Sequence, residues 1–203
     1  MTRPVTRHRR RAGYTLVEVM MAIAVMTAGA VGVFSLQRAT TLGNLEARQM
    51  STATMIARTW LERLKRDALR WTAGSTSAVG VNLTGTTYLA NVPAPATAPT
   101  WFTPVPPSLL TESYAFDHYG RDLTPPSPLI AYCAQMRLQW VYPGQTIRGD
   151  VRVWWHRQSS GADTNIGNAS LYANCGLGSE TTIGNDVRVR MVNATTLIRW
   201  VPR

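Results

Sequence analysis

The chain has 203 residues, which suits one modest domain and an additional segment. Hydrophobic residues make up 45% of the chain, but they are concentrated in one run near the N-terminus. The formal net charge is +10, yet five of the 21 basic residues precede residue 14 with no acidic residue among them. The other 16 basic residues stand against 11 acidic ones, so the charge distribution argues against nucleic-acid binding.

Residues 14–36 form the apolar run. As a helix it is about 34 Å long, enough to cross a hydrocarbon core of roughly 30 Å. The arginines before it predict a cytoplasmic N-terminus and a C-terminal part that crosses the membrane. A cleaved secretory signal is one alternative, but the run is too long for a typical signal and contains Glu18. A plain membrane anchor is another alternative, and it gives no reason for that carboxylate.

An amphipathic pattern continues directly beyond the apolar run. Apolar residues recur at spacings of three and four as far as Trp71, which predicts one helix from about residue 15 to about residue 71. We expect Ile56, Trp60 and Leu64 on this stripe to lie under the protein's own sheet.

The remaining residues predict a β-rich head. Residues 72–130 are rich in Gly, Ser, Thr and Pro, which indicates a long loop with short edge strands at most. About four antiparallel strands then follow and cover the helix, in an α+β arrangement. Their patterns lie at residues 136–142 and 151–155, joined by a Pro143-Gly144 turn, and at 187–191 and 196–201, joined by a turn at Asn193-Ala194.

Two further expectations concern the strand surfaces. We expect arginines of the last strands to form a solvated face: Arg152, Arg157, Arg188 and Arg190. Trp154 and Trp155 are adjacent on one strand, so one faces the core and at most one is exposed.

Cys133 and Cys175 lie 42 positions apart, without a CxxC motif or a Cys-His cluster of metal-binding spacing. Since the predicted topology places both outside the cytoplasm, we expect one disulfide. Two buried free thiols are the alternative.

The residues give no pattern of catalytic chemistry. His118 and its neighbouring aspartates fit no metal-ligand spacing and predict an exposed turn. The chain has no G-x-S-x-G, P-loop or dinucleotide-binding glycine motif. We therefore expect a non-enzymatic protein with no metal and no other cofactor.

The stretch Gly13-Tyr14-Thr15-Leu16-Val17-Glu18, after a short basic leader, resembles the type IV prepilin signature. The resemblance implies a type IV pilin fold, cleavage between Gly13 and Tyr14 by a prepilin peptidase, and N-methylation of Tyr14 by the same enzyme. It also places Glu18 at the fifth mature position. The implied divisions are a leader at 1–13, a transmembrane and filament-core helix at 14–36, its amphipathic continuation at 37–71, and a head at 72–203.

A buried carboxylate gains most from a cationic partner. Cleavage before Tyr14 creates one, its α-amine, and N-methylation retains the charge. Our hypothesis is that Glu18 pairs with the amine of a neighbouring subunit and sets its register. Pairing within the same chain is the alternative while the subunit waits in the membrane.

Three details resemble the PilV-type minor pilins, also called type IV pilus modification proteins. They are the stretches 32–37 and 57–66, and a late Cys followed by a C-terminal hairpin. The resemblance implies a subunit that helps to initiate or modify a type IV pilus, with adhesion or twitching motility downstream. The minor pseudopilin I of type II secretion shares the first two details and is the main alternative. A membrane-tethered binding module and a DNA-uptake protein are the others.

This resemblance also implies the partners and the location. The partners would be the membrane itself, major and minor pilins, the peptidase and the inner-membrane assembly platform. The protein would span the bacterial inner membrane once, with its head in the periplasm, and then enter the filament at the cell surface.

Overall fold

A computed structural model describes residues 13–72, 82–106, 111–156, 175 and 189–200. Residues 1–12 of the predicted leader lie outside the described residues, as do Arg157, Val187 and Arg188. The chain divides into two compact units, one up to Asn44 and one from Leu45 onward. The four-part division expected from the sequence stays a prediction.

The predicted single helix is confirmed as α1, Leu16–Ala68. Its part in the first unit contains a window of 18 residues with a mean hydropathy of 2.1, none of which is buried in the protein itself. Among the described residues, α1 is the one helix long and apolar enough to cross a membrane. Lys65 and Arg66 occupy its last turn, where positive charge interacts favourably with the helix dipole.

The second unit contains a five-stranded antiparallel sheet. Its strands are β1 (Ala115–Phe116), β2 (Asp122–Leu123), β3 (Tyr132–Tyr142), β4 (Thr146–His156) and β5 (Val189–Arg199). They lie in the order β2-β1-β3-β4-β5. The long loop before them holds a short 3₁₀ helix, Leu89–Asn91. The predicted fold class is confirmed: a long N-terminal helix packs against an antiparallel sheet in the α+β arrangement of a type IV pilin.

The predicted turn at Asn193-Ala194 is wrong. β5 runs without interruption through both residues, which pair with Arg152 and Val151 of β4. Side chains alternate along the whole strand, and this stretch lacks the glycine that favours a tight hairpin turn. The described C-terminal part is therefore one long strand, not a hairpin.

One stripe of α1 forms the core with the inner face of the sheet. Ile56, Trp60 and Leu64 are at most 1% exposed, as predicted. They pack with fully buried residues of β3 and β4: Met136, Leu138, Ile147, Val151 and Val153. A Cβ on Gly149 would lie 3.1 Å from Leu64, so the glycine permits close approach of helix and sheet.

Both adjacent tryptophans are buried, which agrees with the expectation that one faces the core and at most one is exposed. Trp155 joins the inner core, whereas Trp154 lies in a second cluster with Cys133, Cys175, Ala115 and Ile130. The alternation of the strand was therefore read correctly, but both faces of the sheet are covered at this end.

Two buried polar residues of α1 attach β2 and the long loop to the helix. Arg63 donates from Nη2 to both carboxylate oxygens of Asp122, at 2.9 and 2.8 Å. Asp67 accepts the backbone N–H groups of Thr87, Tyr88 and Leu89, at 2.7 to 3.0 Å. These bonds satisfy groups that would otherwise be buried without partners, so they fix the loop over the core.

The turn between β1 and β2 packs against α1 through Gly120. Its φ angle is +78°, a conformation that glycine adopts without the penalty of a side chain. A Cβ there would lie 2.7 Å from Met55 Cε and 3.2 Å from Thr52 Cγ2. Backbone conformation and space both require glycine at this position.

We expect Gly120→Ala to lower the free energy of unfolding of the head by about 1–3 kcal/mol, because a side chain strains the turn and displaces it from α1. Denaturant unfolding of the detergent-solubilised chain, followed by tryptophan fluorescence, measures this loss. Gly43→Ala is the control, since a Cβ at Gly43 meets nothing within 4 Å. An equal loss in both variants would contradict the packing account.

Candidate functional site

The expected cleavage site lies directly before α1. Gly13, Tyr14 and Thr15 have no regular secondary structure, and the helix begins at Leu16. Gly13 is exposed and Tyr14 is 83% exposed. The bond between Gly13 and Tyr14 is therefore accessible in the protein alone, within one residue of the helix cap.

Thr15 caps the helix and places Glu18. The N–H of Glu18 donates to Thr15 Oγ1 at 3.3 Å, as expected of an N-cap hydroxyl. The spacing Thr15-x-x-Glu18 is that of a capping box. The sequence prediction did not use this pattern, although it was visible, and the capping bond is the one that the Thr15 hydroxyl accepts.

Glu18 is the one carboxylate in an apolar surface. It lies in the first turn of α1, where the helix dipole favours negative charge. Large apolar side chains around it are also exposed, among them Leu16 at 75% and Val17 at 64%. An exposed acid in such surroundings can pair with a cation supplied by another molecule or by the processed N-terminus.

Cys133 and Cys175 are joined by a disulfide, with Cα atoms 5.4 Å apart and an S–S distance of 2.11 Å. Both residues are fully buried. Cys133 lies on β3 opposite Trp154 of β4, so the bridge covers the face of the sheet away from α1.

A second arrangement of charges lies on that same outer face of the sheet. Asp150 of β4 is 5% exposed. Its Oδ2 accepts from Arg137 Nε and Nη2, at 3.2 and 2.9 Å. Its Oδ1 accepts from Arg148 Nε at 2.9 Å and from Thr195 Oγ1 at 2.8 Å. One carboxylate thus connects all three long strands.

The bonds around Asp150 decide its ionisation. Burial acts to raise the pKa of Asp150, but the hydrogen bonds from Thr195, Arg137 and Arg148 outweigh it and hold the pKa below its ordinary value. The group is therefore a carboxylate at neutral pH.

The expectation of a solvated arginine face is wrong for Arg152. This residue is 8% exposed, donates from Nε to Gln135 Oε1 at 2.8 Å, and places its guanidinium 4.2 Å from the ring centroid of Trp101. Arg190 is partly exposed and lies 3.4 Å from Glu46 of α1. The sequence pattern could not show that the distant Trp101 covers the strand.

The predicted exposed turn at His118 is confirmed. The neighbouring Asp117 accepts the backbone N–H groups of Tyr119 and Arg121, so its carboxylate stabilises the turn. Within the described ranges, no group of three or more His, Cys, Asp or Glu side chains could hold a metal ion.

Residues 8–34 match the family model described as the prokaryotic N-terminal methylation motif. The match includes Gly13, Tyr14 and Glu18. Neither a curated protein nor a solved structure gives a significant match.

The motif and the fold together support a type IV pilin-like protein of the prepilin class. Proteins of this class are structural subunits, generally non-enzymatic, that associate with other pilins and with a prepilin peptidase. The motif and the apolar part of α1 indicate membrane anchoring.

The low pKa of Asp150 predicts an acid-sensitive head. A carboxyl group whose pKa is lower in the folded state stabilises the fold fully at pH values above its unfolded pKa, about 3.9 for Asp. This stabilisation is lost as the pH falls through the folded pKa. Asp150→Asn should lower the free energy of unfolding by about 1–3 kcal/mol at neutral pH and flatten its decline towards acid. Denaturant unfolding at a series of pH values measures both effects.

Glu62→Gln is the matched control, since it removes an exposed ion pair with Lys65. Its effect should stay within about 0.5 kcal/mol. If the two variants had the same pH profile, the bonds to Asp150 would not be the cause.

Proposed function

We propose that the protein is a minor pilin that helps to initiate or modify a type IV pilus. One observation carries the proposal: an exposed Gly13–Tyr14 bond directly precedes an apolar helix whose first turn contains a single carboxylate. A plain membrane anchor requires neither an accessible Gly13–Tyr14 bond nor a carboxylate in its apolar helix. A subunit that is cut, methylated and inserted into a filament uses both.

Processing changes the charge at the start of the helix. Cleavage after Gly13 removes the arginine-rich leader and leaves the α-amine of Tyr14 four residues before Glu18. N-methylation keeps that amine cationic. In a bundle of apolar helices, the amine of one subunit and Glu18 of its neighbour form a desolvated ion pair that fixes their relative register.

The proposed topology follows from the same segment. The leader arginines hold the N-terminus in the cytoplasm, α1 crosses the inner membrane once, and the head enters the periplasm. The disulfide between Cys133 and Cys175 supports this placement, because such bridges persist in oxidising compartments. The proposed partners are other pilins, the peptidase and the membrane assembly platform.

A minor pseudopilin of type II secretion is the second candidate. The two stretches of α1 that resemble PilV-type minor pilins, at 32–37 and 57–66, also resemble this pseudopilin. The third detail that favoured the PilV type was a C-terminal hairpin, and β5 replaces it with one continuous strand. Purification of the protein from sheared surface pili, or its retention with a secretion apparatus, separates the two assignments.

The mature protein should begin at N-methylated Tyr14. N-terminal mass spectrometry of the protein from native membranes measures this directly. Gly13→Leu should leave the leader in place, because a larger residue at that position does not fit a peptidase that requires glycine. Val17→Leu is the control, a conservative change in the same apolar segment that should be processed normally. The small residues Ala28-Gly29-Ala30 resemble a secretory cleavage site, so a mature start near Ala30 would instead show a secretory signal.

Glu18→Ala should be processed and inserted but should enter filaments at least about tenfold less, since an unpaired desolvated amine costs several kcal/mol. Immunoblots of sheared filaments against the membrane fraction give the ratio. Glu62→Ala removes an exposed carboxylate from the same helix and should be incorporated normally. Normal incorporation of Glu18→Ala would rule out the register role.

A further inference from the structure

The outer face of the sheet presents more positive than negative charge. We call the arginine face the surface formed by Arg137 of β3, Arg148 and Asp150 of β4, and Thr195 and Arg199 of β5. Strand alternation and register place these side chains together: Asp150 lies opposite Arg137 and Thr195, and Arg199 is one diagonal position from Arg148. The face therefore contains three guanidinium groups and one carboxylate, which binds those of Arg137 and Arg148.

Asp150 has no oxygen lone pair left to accept a further hydrogen bond from these arginines. Both of its oxygens already accept two hydrogen bonds each. Arg148 uses only Nε for Asp150, and its side chain remains 45% exposed. Arg137 remains 33% exposed, and Arg199 is exposed. The guanidinium groups of Arg137 and Arg148 are thus held in place by Asp150, and all three are still open to an anion from outside.

The surroundings favour a protein surface as the source of that anion. Leu197 lies opposite Arg148 and is 64% exposed, and Met191 is 40% exposed on the same face. Trp101 is engaged by Arg137 and Arg152, at 4.8 and 4.2 Å, so it is not a free platform for base stacking. Three arginines beside exposed apolar side chains are fewer than the four to eight basic residues typical of a membrane-binding cluster.

The described part of the head has no acidic side chain without an internal partner, so a second copy of this chain is a weaker source of the anion than a subunit with unpaired carboxylates. Each acidic side chain there has a partner within the chain. Glu46, Glu62, Glu112, Asp117 and Asp122 pair with Arg190, Lys65, Arg66, Arg121 and Arg63, respectively. Asp67 binds three backbone N–H groups, and Asp150 is saturated as described.

We infer that the arginine face binds a carboxylate-rich surface of a different protein subunit. The inference rests on the proposed function only in placing that subunit in the same filament. The cationic side chains fix the orientation of the partner. Leu197 supplies apolar contact beside Arg148, and Met191 extends it along β5 beyond Thr195.

Binding to a defined acidic probe tests the chemistry. The full chain in phosphatidylcholine nanodiscs should bind a short poly-L-glutamate peptide, more weakly as salt rises. Arg148→Gln/Arg199→Gln should weaken this binding at least about tenfold while leaving the bonds of Asp150 to Arg137 and Thr195 in place. The matched control is Arg58→Gln/Arg70→Gln, which removes two exposed arginines of the helix side and should change binding less than about threefold.

Three results would overturn the inference. One is an equal loss in both double variants, which would show unspecific charge attraction. Another is tighter binding of an oligothymidylate of matched charge that the same two substitutions at Arg148 and Arg199 abolish, which would show a nucleic-acid surface. The third is binding of added phosphatidylglycerol vesicles that Arg148→Gln/Arg199→Gln abolishes and Arg58→Gln/Arg70→Gln does not, which would show that the face lies on lipid.

A photocrosslinker at Leu197 tests the partner in cells. The crosslinked peptide should come from another protein, should carry Asp or Glu within a few residues, and should disappear in Arg148→Glu/Arg199→Glu. A crosslink to a second copy of this chain would overturn the inference. If instead the wild-type chain never reaches filaments, the proposed function fails, while the peptide-binding result still stands or falls by itself.

Discussion

The head depends on the contact between one stripe of α1 and the inner face of the sheet. Ile56, Trp60 and Leu64 are almost wholly removed from water there, and full burial of such side chains is worth about 1.5–3 kcal/mol each. The contact requires close approach, which Gly149 permits on the sheet and Gly120 permits at the β1–β2 turn. Arg63 and Asp67 border the same stripe, so the surface that holds the sheet also holds the long loop.

The part of α1 that precedes Leu45 has an apolar surface that the protein itself does not bury. Its apolar side chains are not buried by the protein itself, so they need cover from lipid or from other helices. In lipid or among apolar helices, a buried carboxylate has a high free-energy cost unless a cation lies nearby. Glu18 meets this condition in two ways, because it is close to the capped helix start and because processing at Tyr14 would create an amine beside it. A residue that is unfavourable for a simple anchor is favourable for assembly.

The sequence could predict the elements whose side chains repeat with a clear period. The long helix, its buried stripe and the fold class follow from spacings of three and four and from strand alternation. The burial of residues on the outer face of the sheet was harder to predict, because it depends on residues distant in sequence. Trp154 is buried with Cys175, and Arg152 is covered by Trp101. Arg63 and Asp67 were missed since their partners, Asp122 of β2 and backbone N–H groups of the loop, follow no repeating pattern. The capping box at Thr15 and Glu18 was a signal available but unused.

The distribution of charge in the head bears on how many copies an assembly can contain. In the part of the head that the structure describes, the carboxylates are used for internal bonds, and the exposed excess is cationic. Like charges on neighbouring heads repel, so a filament made only of such heads would have repulsive contacts wherever their arginines meet. Each copy is better accommodated beside a subunit of opposite charge. Under the proposed function, this constraint favours an occasional subunit among others over the repeating unit of the filament, and it arises from the ion pairs that fold the head.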